Sequence, residues 1–379
     1  MKLAIEASNI VDGGGLNHLR ELLDKPDLPS NEITQIIIWS SQKTLDSIPD
    51  SSEIIKKTNS WLNSGKLKRF VWQILWSNGE FRKNSIDLVF VPGGIYLGSY
   101  AIPVISMSQN MLLYEWREMA RYGFSGGFFR LFFLFFLQSY TFRKSASVLF
   151  LTNYAKDTIT RKLKLDPSKS AVIPHGINER FSVNHLRNKR SIKTGDCIHL
   201  LYVSFIGMYK HQWKVIEAVA YARDMGYDLK LTLVGKVVDK KAGLLLQSAI
   251  SKFDPDNKFV IHKINVDYDM VHREYKDADI FIYASSCENM PMILMEAMRS
   301  SLPIISSNFG PMPEILADAG EYFDPTNAKD LAKKIDSIVK NQNRLCEMAD
   351  MAYQKSLPFT WKNTQKLTFS YFKKVYKEF

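Results

Sequence analysis

No part of this 379-residue chain is apolar for long enough to cross a bilayer. The segment that stands out, Phe128-Phe129-Arg130-Leu131-Phe132-Phe133-Leu134-Phe135-Phe136-Leu137, falls far short of a span, which needs ~20 residues. The start, Met1-Lys2-Leu3-Ala4-Ile5-Glu6, enters a strand at once and has no long apolar stretch of the signal-peptide kind, so no secretory leader is expected. Cysteine is scarce: Cys197, Cys287 and Cys346, with no CxxC and no metal-ligand spacing. That fits a reducing compartment better than a disulfide framework. Cys287 beside Glu288 reads as a small buried hydrophobe. There is no repeat of solenoid length, no GxGxxG dinucleotide fingerprint and no signature of a nucleic-acid module.

What is present points to a large folded chain. Hydrophobic residues make up 46% of it, enough for sizeable cores and too many for global disorder. Its length suits two domains. Lys and Arg number 50 against 39 Asp and Glu, a formal charge of +11. Such an excess attracts phosphate-bearing partners. The Phe-rich segment, flanked by Arg117, Arg121, Arg143 and Lys144, leaves two readings open. It is either a helix buried under a sheet or one that dips into an anionic membrane interface.

Along the chain, short continuous apolar runs alternate with helical stretches. Strands are expected near Lys2–Ala7, Ile33–Ser40, Ile86–Pro92, Val104–Ser108, Ala146–Thr152 and Ala171–Pro174. A second series follows near Ile198–Ser204, Leu229–Gly235, Phe259–His262, Asp279–Ala284 and Pro303–Ser306. Helices are expected over Trp213–Met225 and Ala328–Lys340, among others. Alternating βα units argue for α/β domains with doubly wound parallel sheets, and two series imply two Rossmann-like domains. The polar, basic stretch Asn184–Asp196 reads as the linker. The expected domains are 1–187, 188–360 and a C-terminal helix over 361–379 that packs back on the first.

Chemistry-bearing residues gather at strand ends, where open α/β sheets bind ligands. Glu288 lies in the loop after Asp279–Ala284. Pro291 suits the first turn of a helix, and Glu296 falls about one and a half turns into it. A carboxylate there can accept hydrogen bonds from vicinal hydroxyls, and free amides at a helix start suit a phosphate. The plainer reading is two acids favoured by a helix dipole. Gly13-Gly14-Gly15 follow the first strand, before a helix expected from near Leu16. They allow close backbone approach, or simply make a tight turn. Lys210, after Ile198–Ser204, can neutralise a diphosphate or be a solvated lysine. Asn308-Phe309-Gly310-Pro311 forms a further loop of the same series. Asp267-Tyr268-Asp269 and Asp277-Ala278-Asp279 spell DxD but read as structural, the first as a helix cap.

With those residues in view, Ser285–Pro313 resembles the donor-site signature of family-4 retaining glycosyltransferases of GT-B fold. Glu288 and Glu296 match the family's E-x7-E pattern. Glu296-Ala297-Met298, Leu302-Pro303-Ile304 and Pro313-Glu314-Ile315 match the run that follows it. The likeness extends to Gly13-Gly14-Gly15, Ile173-Pro174-His175-Gly176, the Lys210 region, Leu233-Val234-Gly235 and Tyr322-Phe323-Asp324-Pro325. The Cys287-Glu288-Asn289-Met290-Pro291 variant resembles members that build bacterial surface polysaccharides.

The resemblance implies two Rossmann-like domains facing a central cleft. It implies ribose binding by Glu296, with Glu288 near the donor sugar and the reacting centre. Lys210 would meet the diphosphate. Asn289, Met290 and Pro291 would help hold the sugar and phosphate, Ser204 would join the donor site, and Gly13, Gly14 and Gly15 would border the phosphates and acceptor. Two departures stand out. Phe205 or a neighbour replaces an expected phosphate-binding Arg, and Gln109-Asn110 stands where many members carry a His.

The implied activity is metal-independent, retaining transfer of a hexose from a UDP- or GDP-linked sugar, with no further cofactor. The acceptor would be a lipid-linked or oligosaccharide glycan of O-antigen or capsule type. The expected location is cytoplasmic, peripheral on the inner face of the membrane, in contact with anionic lipid and not with nucleic acid. Two alternatives remain: a GT-B epimerase or hydrolase of nucleotide sugars, and a non-catalytic sugar-nucleotide-binding protein.

Overall fold

A computed structural model describes residues 1–182 and 195–379. The expected boundary between 187 and 188, and most of the linker expected over Asn184–Asp196, lie outside the described residues. The chain divides into two compact units, one formed by residues 1–119, 123–176 and 359–379, the other by 120–122 and 177–358.

Among the described residues, the first unit holds a seven-stranded sheet of order β3-β2-β1-β4-β5-β6-β7. The strands are β1 (Lys2–Glu6), β2 (Gln35–Trp39), β3 (Ile54–Lys57), β4 (Leu88–Val91), β5 (Val104–Met107), β6 (Ser147–Phe150) and β7 (Ser170–Val172). Every pairing is parallel. Continuous Ile, Leu and Val runs make this possible, because a parallel strand is covered on both faces. Ile5 thus lies between Ile38 and Phe90 in the ladder and is fully buried.

Among the described residues, the second unit repeats the plan with six parallel strands in the order β10-β9-β8-β11-β12-β13. These are β8 (Ile198–Val203), β9 (Leu229–Val234), β10 (Val260–Lys263), β11 (Ile280–Tyr283), β12 (Ile304–Ser307) and β13 (Glu321–Phe323). Strand order reverses between β8 and β11. In an open α/β sheet that reversal opens a crevice at the carboxyl ends of the two strands, where ligands bind.

Most anticipated strands appear a residue or two shorter at the ends. The edge strands β3 and β13 were not anticipated. The helix after β1 begins at Gly13 rather than near Leu16, because Gly13 enters it with φ +69°, a conformation open to glycine.

Two helices of the first unit matter below. The C-terminal helix Trp361–Glu378 buries Phe369, Phe372 and Val375, and Phe372 meets Phe90 of β4 with ring centroids 4.8 Å apart. Its first turn lies against His18 and His175, whose Nδ1 atoms are 3.0 Å apart. Gly176 has no side chain for a steric reason: a Cβ there would lie 2.1 Å from the Trp361 nitrogen. The Phe-rich helix runs over Gly126–Lys144, with Ser125 Oγ capping it by accepting from the Phe128 amide. Leu131, Gln138, Thr141 and Phe142 point inward, whereas Phe129, Phe132, Phe133 and Phe136 are exposed. The reading as a buried helix therefore holds for its inward face only.

Candidate active site

The reversal between β8 and β11 sets two loops of the second unit side by side. One runs from Ser204 to His211, the other from Ala284 to Pro291. The Ser286 amide donates to the Tyr209 carbonyl at 2.9 Å, and His211 Nε2 pairs with Ser286 Oγ at 2.9 Å. His211 adopts φ +53° to enter the next helix, Gln212–Asp224.

These ties bring Lys210 onto Glu288. Lys210 is only 3% exposed, and its ammonium forms an ion pair with Glu288 Oε1. The same oxygen accepts from Tyr283 Oη at 2.7 Å and from Ser285 Oγ. Around the ammonium stand the rings of Phe205, Tyr209 and Tyr283, at 5.1, 5.2 and 5.4 Å from their centroids. An ammonium this near an aromatic face is attracted by the ring quadrupole. Phe205, at the place where an Arg is expected, therefore contributes a ring to the Lys210 environment instead of a second charge. Burial and the Glu288 charge hold the Tyr283 and Tyr209 phenols well above their ordinary range, so both stay protonated donors.

Glu296 has separate surroundings. It sits mid-way along the helix Met292–Arg299 and is buried. Tyr275 Oη donates to Oε2 at 2.9 Å, and Tyr268 Oη reaches Oε1 at 3.5 Å. Burial pushes the carboxyl up to about 7, against lowering by Tyr275, by the Arg180 charge and by Tyr268. The Arg180 guanidinium lies over the Tyr268 ring at 4.1 Å and pairs with Asp269 Oδ1 at 2.6 Å. Its Nε and Nη2 are buried and find no hydrogen-bond partner among the described residues. A buried donor left unmade is costly, so these two N–H groups mark a place that an oxygen-rich ligand can complete.

The other anticipated residues fall in three groups. Asn289 and Met290 are buried in the β11 loop, and Pro291 caps the helix. Ser204 directly follows β8; its Oγ is buried without a hydrogen-bond partner among the described residues. Gly13, Gly14 and Gly15 belong to the first unit. A Cβ on Gly13 or Gly14 would meet nothing within 4 Å, and one on Gly15 would come 3.1 Å from Gln109 Oε1. Gln109 thus borders the glycine turn. The DxD spellings are structural: Asp267 accepts from the Asp269 amide at 3.1 Å, and Asp279 accepts from the His199 amide at 2.8 Å.

Tyr275, Tyr283, Ser285 and Arg180 were not anticipated. Tyr283 carried a signal, a hydroxyl at the last position of an otherwise apolar strand. Arg180 carried none, because its partners Tyr268 and Asp269 are far along the chain.

The fold is the one seen in GT-B glycosyltransferases. The crystal structure of Anabaena HepE in complex with UDP and glucose superposes with a TM-score of 0.69, covering 97% of this chain and 98% of that one at 15% identity. Residues 185–355 match the family model described as Glycosyl transferases group 1. An uncharacterised glycosyltransferase of Methanocaldococcus jannaschii is 22% identical over 224 residues, 59% of this chain and 58% of the relative. The O-antigen chain mannosyltransferase B of Escherichia coli is 27% identical over 101 residues, 26% of each. The chain therefore spans under two thirds of the length of these curated relatives.

Proposed function

We propose that this protein is a retaining hexosyltransferase. It uses a nucleotide diphosphate sugar, UDP- or GDP-linked, and extends a lipid-linked or oligosaccharide acceptor of a bacterial surface polysaccharide. The observation that carries the reading is the Lys210–Glu288 pair at the strand-order reversal, with buried Glu296 one turn into the helix beyond it. The group 1 match over 185–355, the likeness to a structure holding UDP and glucose, and the O-antigen mannosyltransferase relative all support it.

Roles follow from the chemistry of each group. Ionised Glu296 accepts hydrogen bonds from the ribose hydroxyls, and the Arg180 N–H groups meet oxygens of the nucleotide. Glu288 takes hydroxyls of the donor sugar. Asn289, Met290 and Pro291 shape the turn around that sugar, and Ser204 Oγ gains a partner when the donor binds. Lys210 faces the diphosphate.

In the transfer, the bond from C1 of the sugar to the diphosphate oxygen breaks and the acceptor oxygen bonds C1 on the same face. The acceptor proton passes to the departing phosphate oxygen. Lys210 stabilises the charge that develops there, in a buried site where such an interaction is strong. With that charge met by a side chain, transfer proceeds in the presence of EDTA.

The test is transfer from radiolabelled UDP- and GDP-sugars to glycan acceptors by wild type and by Glu296→Ala. The variant is expected to keep its circular dichroism and melting transition and to lose donor affinity. Unchanged kinetics would refute the assignment of Glu296. Free sugar released by wild type without acceptor would make the protein a hydrolase.

A further inference from the structure

A lysine carries its charge on a flexible stem, yet Lys210 is held on both sides. The carbonyl of Tyr209, before it, accepts from the Ser286 amide at 2.9 Å and from Ser286 Oγ at 3.3 Å. The imidazole of His211, after it, pairs with the same Oγ at 2.9 Å through Nε2. The Lys210 carbonyl itself accepts from Tyr202 Oη at 2.6 Å. Ser286 lies two residues before Glu288. One serine thus grips both neighbours of the cation, from the loop that carries its carboxylate partner.

Two features of His211 tie the imidazole to this contact. Its backbone is left-handed, with φ +53° and ψ +29°. Glycine takes that conformation freely, and a residue with a Cβ takes it at a cost. Such a cost persists where the surroundings over-determine the residue. The ring is also buried, and burial lowers it to about 3, so it is neutral and has a single N–H. The Ser286 hydroxyl proton is directed at the Tyr209 carbonyl, so Oγ accepts and Nε2 is the nitrogen that donates. Starting the next helix does not need the ring. That task falls to the His211 carbonyl, which accepts from the Lys214 and Val215 amides at 2.8 and 3.3 Å, and glycine would supply the same carbonyl.

We propose that His211 is a positioning residue: its Nε2–H bond to Ser286 holds Lys210 at Glu288 and in place for the departing diphosphate. It acts through the backbone on either side of Lys210, not on the reacting atoms. Its effect on rate rests on the transferase reading, whereas its effect on the Lys210–Glu288 pair does not.

Two variants separate the imidazole from the backbone that carries it. His211→Gly keeps the left-handed turn and removes the N–H, and His211→Gln returns an amide N–H at a similar reach. In the radiolabelled-donor assay His211→Gly is expected to lower kcat by about tenfold to a hundredfold, the scale of a misplaced catalytic group, with donor KM little changed. His211→Gln is expected to recover most of that loss. A second readout needs no transfer. The coupling between Lys210→Met and Glu288→Leu, measured by denaturant unfolding, is expected to shrink in the His211→Gly background. If wild type transfers no sugar, the transferase reading fails and the coupling alone decides the role of His211. An unchanged coupling overturns the proposal. So does an unchanged kcat, or an equal loss in the glycine and glutamine variants, which would make the imidazole a filler of space. Should His211→Gly fail to fold, Ser286→Ala removes the same bond from its other end and is held to the same kcat and coupling outcomes.

Discussion

Tyr275 Oη donates a 2.9 Å hydrogen bond to Glu296 Oε2, and both groups are buried. The bond favours the ionised carboxylate, but burial outweighs it and holds the Glu296 carboxyl at about 7. The proposed ribose contact needs the ionised form as acceptor. Donor affinity is therefore expected to rise with pH up to about 7 and level off above, falling about tenfold per unit on the acid side. Tyr275→Phe removes a lowering contact, so the midpoint moves upward. Calorimetric titration of a UDP- or GDP-sugar across this range checks both; a flat profile rejects the role.

Lys210 and Glu288 form a pair with little access to water. Glu288→Ala leaves a buried ammonium without its carboxylate, which typically costs about 3–5 kcal/mol. Lys210→Met/Glu288→Leu removes both charges and is expected to cost less than either single change. Denaturant unfolding of Lys210→Met, Glu288→Leu and the double variant measures the coupling, and additive losses would show that the pair does not interact.

Among the described residues, Arg180 Nε and Nη2 find no hydrogen-bond partner. If they meet the nucleotide, Arg180→Ala is expected to raise the donor KM by about tenfold or more, the scale of a hydrogen bond to a charged group, with kcat little changed. A fall in kcat at constant KM would instead tie Arg180 to the chemical step.

In the first unit, Glu6 at the end of β1 accepts from the Ser8 amide at 3.2 Å and from Gln73 Nε2 at 2.8 Å. Burial nonetheless raises its carboxyl from 4.5 to about 7. Below 4.5 both the folded and unfolded chains hold this proton. Between 4.5 and 7 only the folded chain does, so its contribution to stability is lost as pH rises through that window. Glu6→Gln is expected to be more stable than wild type at pH 8, by up to about 3 kcal/mol, with the gap closing toward pH 4.5. Melting curves at the two ends check the sign.

Much of this was legible in the amino-acid order, and what was not has physical reasons. Buried parallel strands such as Ile280–Tyr283 announce themselves as apolar runs. The edge strand Ile54–Lys57 does not, because its outer side needs no apolar cover and Lys56 and Lys57 occupy half of it. Glu288 and Glu296 stood out because a strand, a turn and a helix start fix their spacing locally. Tyr275 and Arg180 act on Glu296 from other elements, and nothing in a one-dimensional pattern joins them. The Phe-rich helix is apolar on nearly every side, so periodicity could not tell its covered face from its bare one.

The helix Trp361–Glu378 completes a sheet whose strands lie in the first half of the chain. As the polypeptide leaves the ribosome, Phe90 emerges long before Phe372, the ring that covers it. The strands of the second unit, which is almost continuous in sequence, all emerge before that closing helix. Folding during synthesis usually favours the N-terminal domain. Here the half that is made first is finished last, and its apolar surface must wait, uncovered, for the closing segment to arrive.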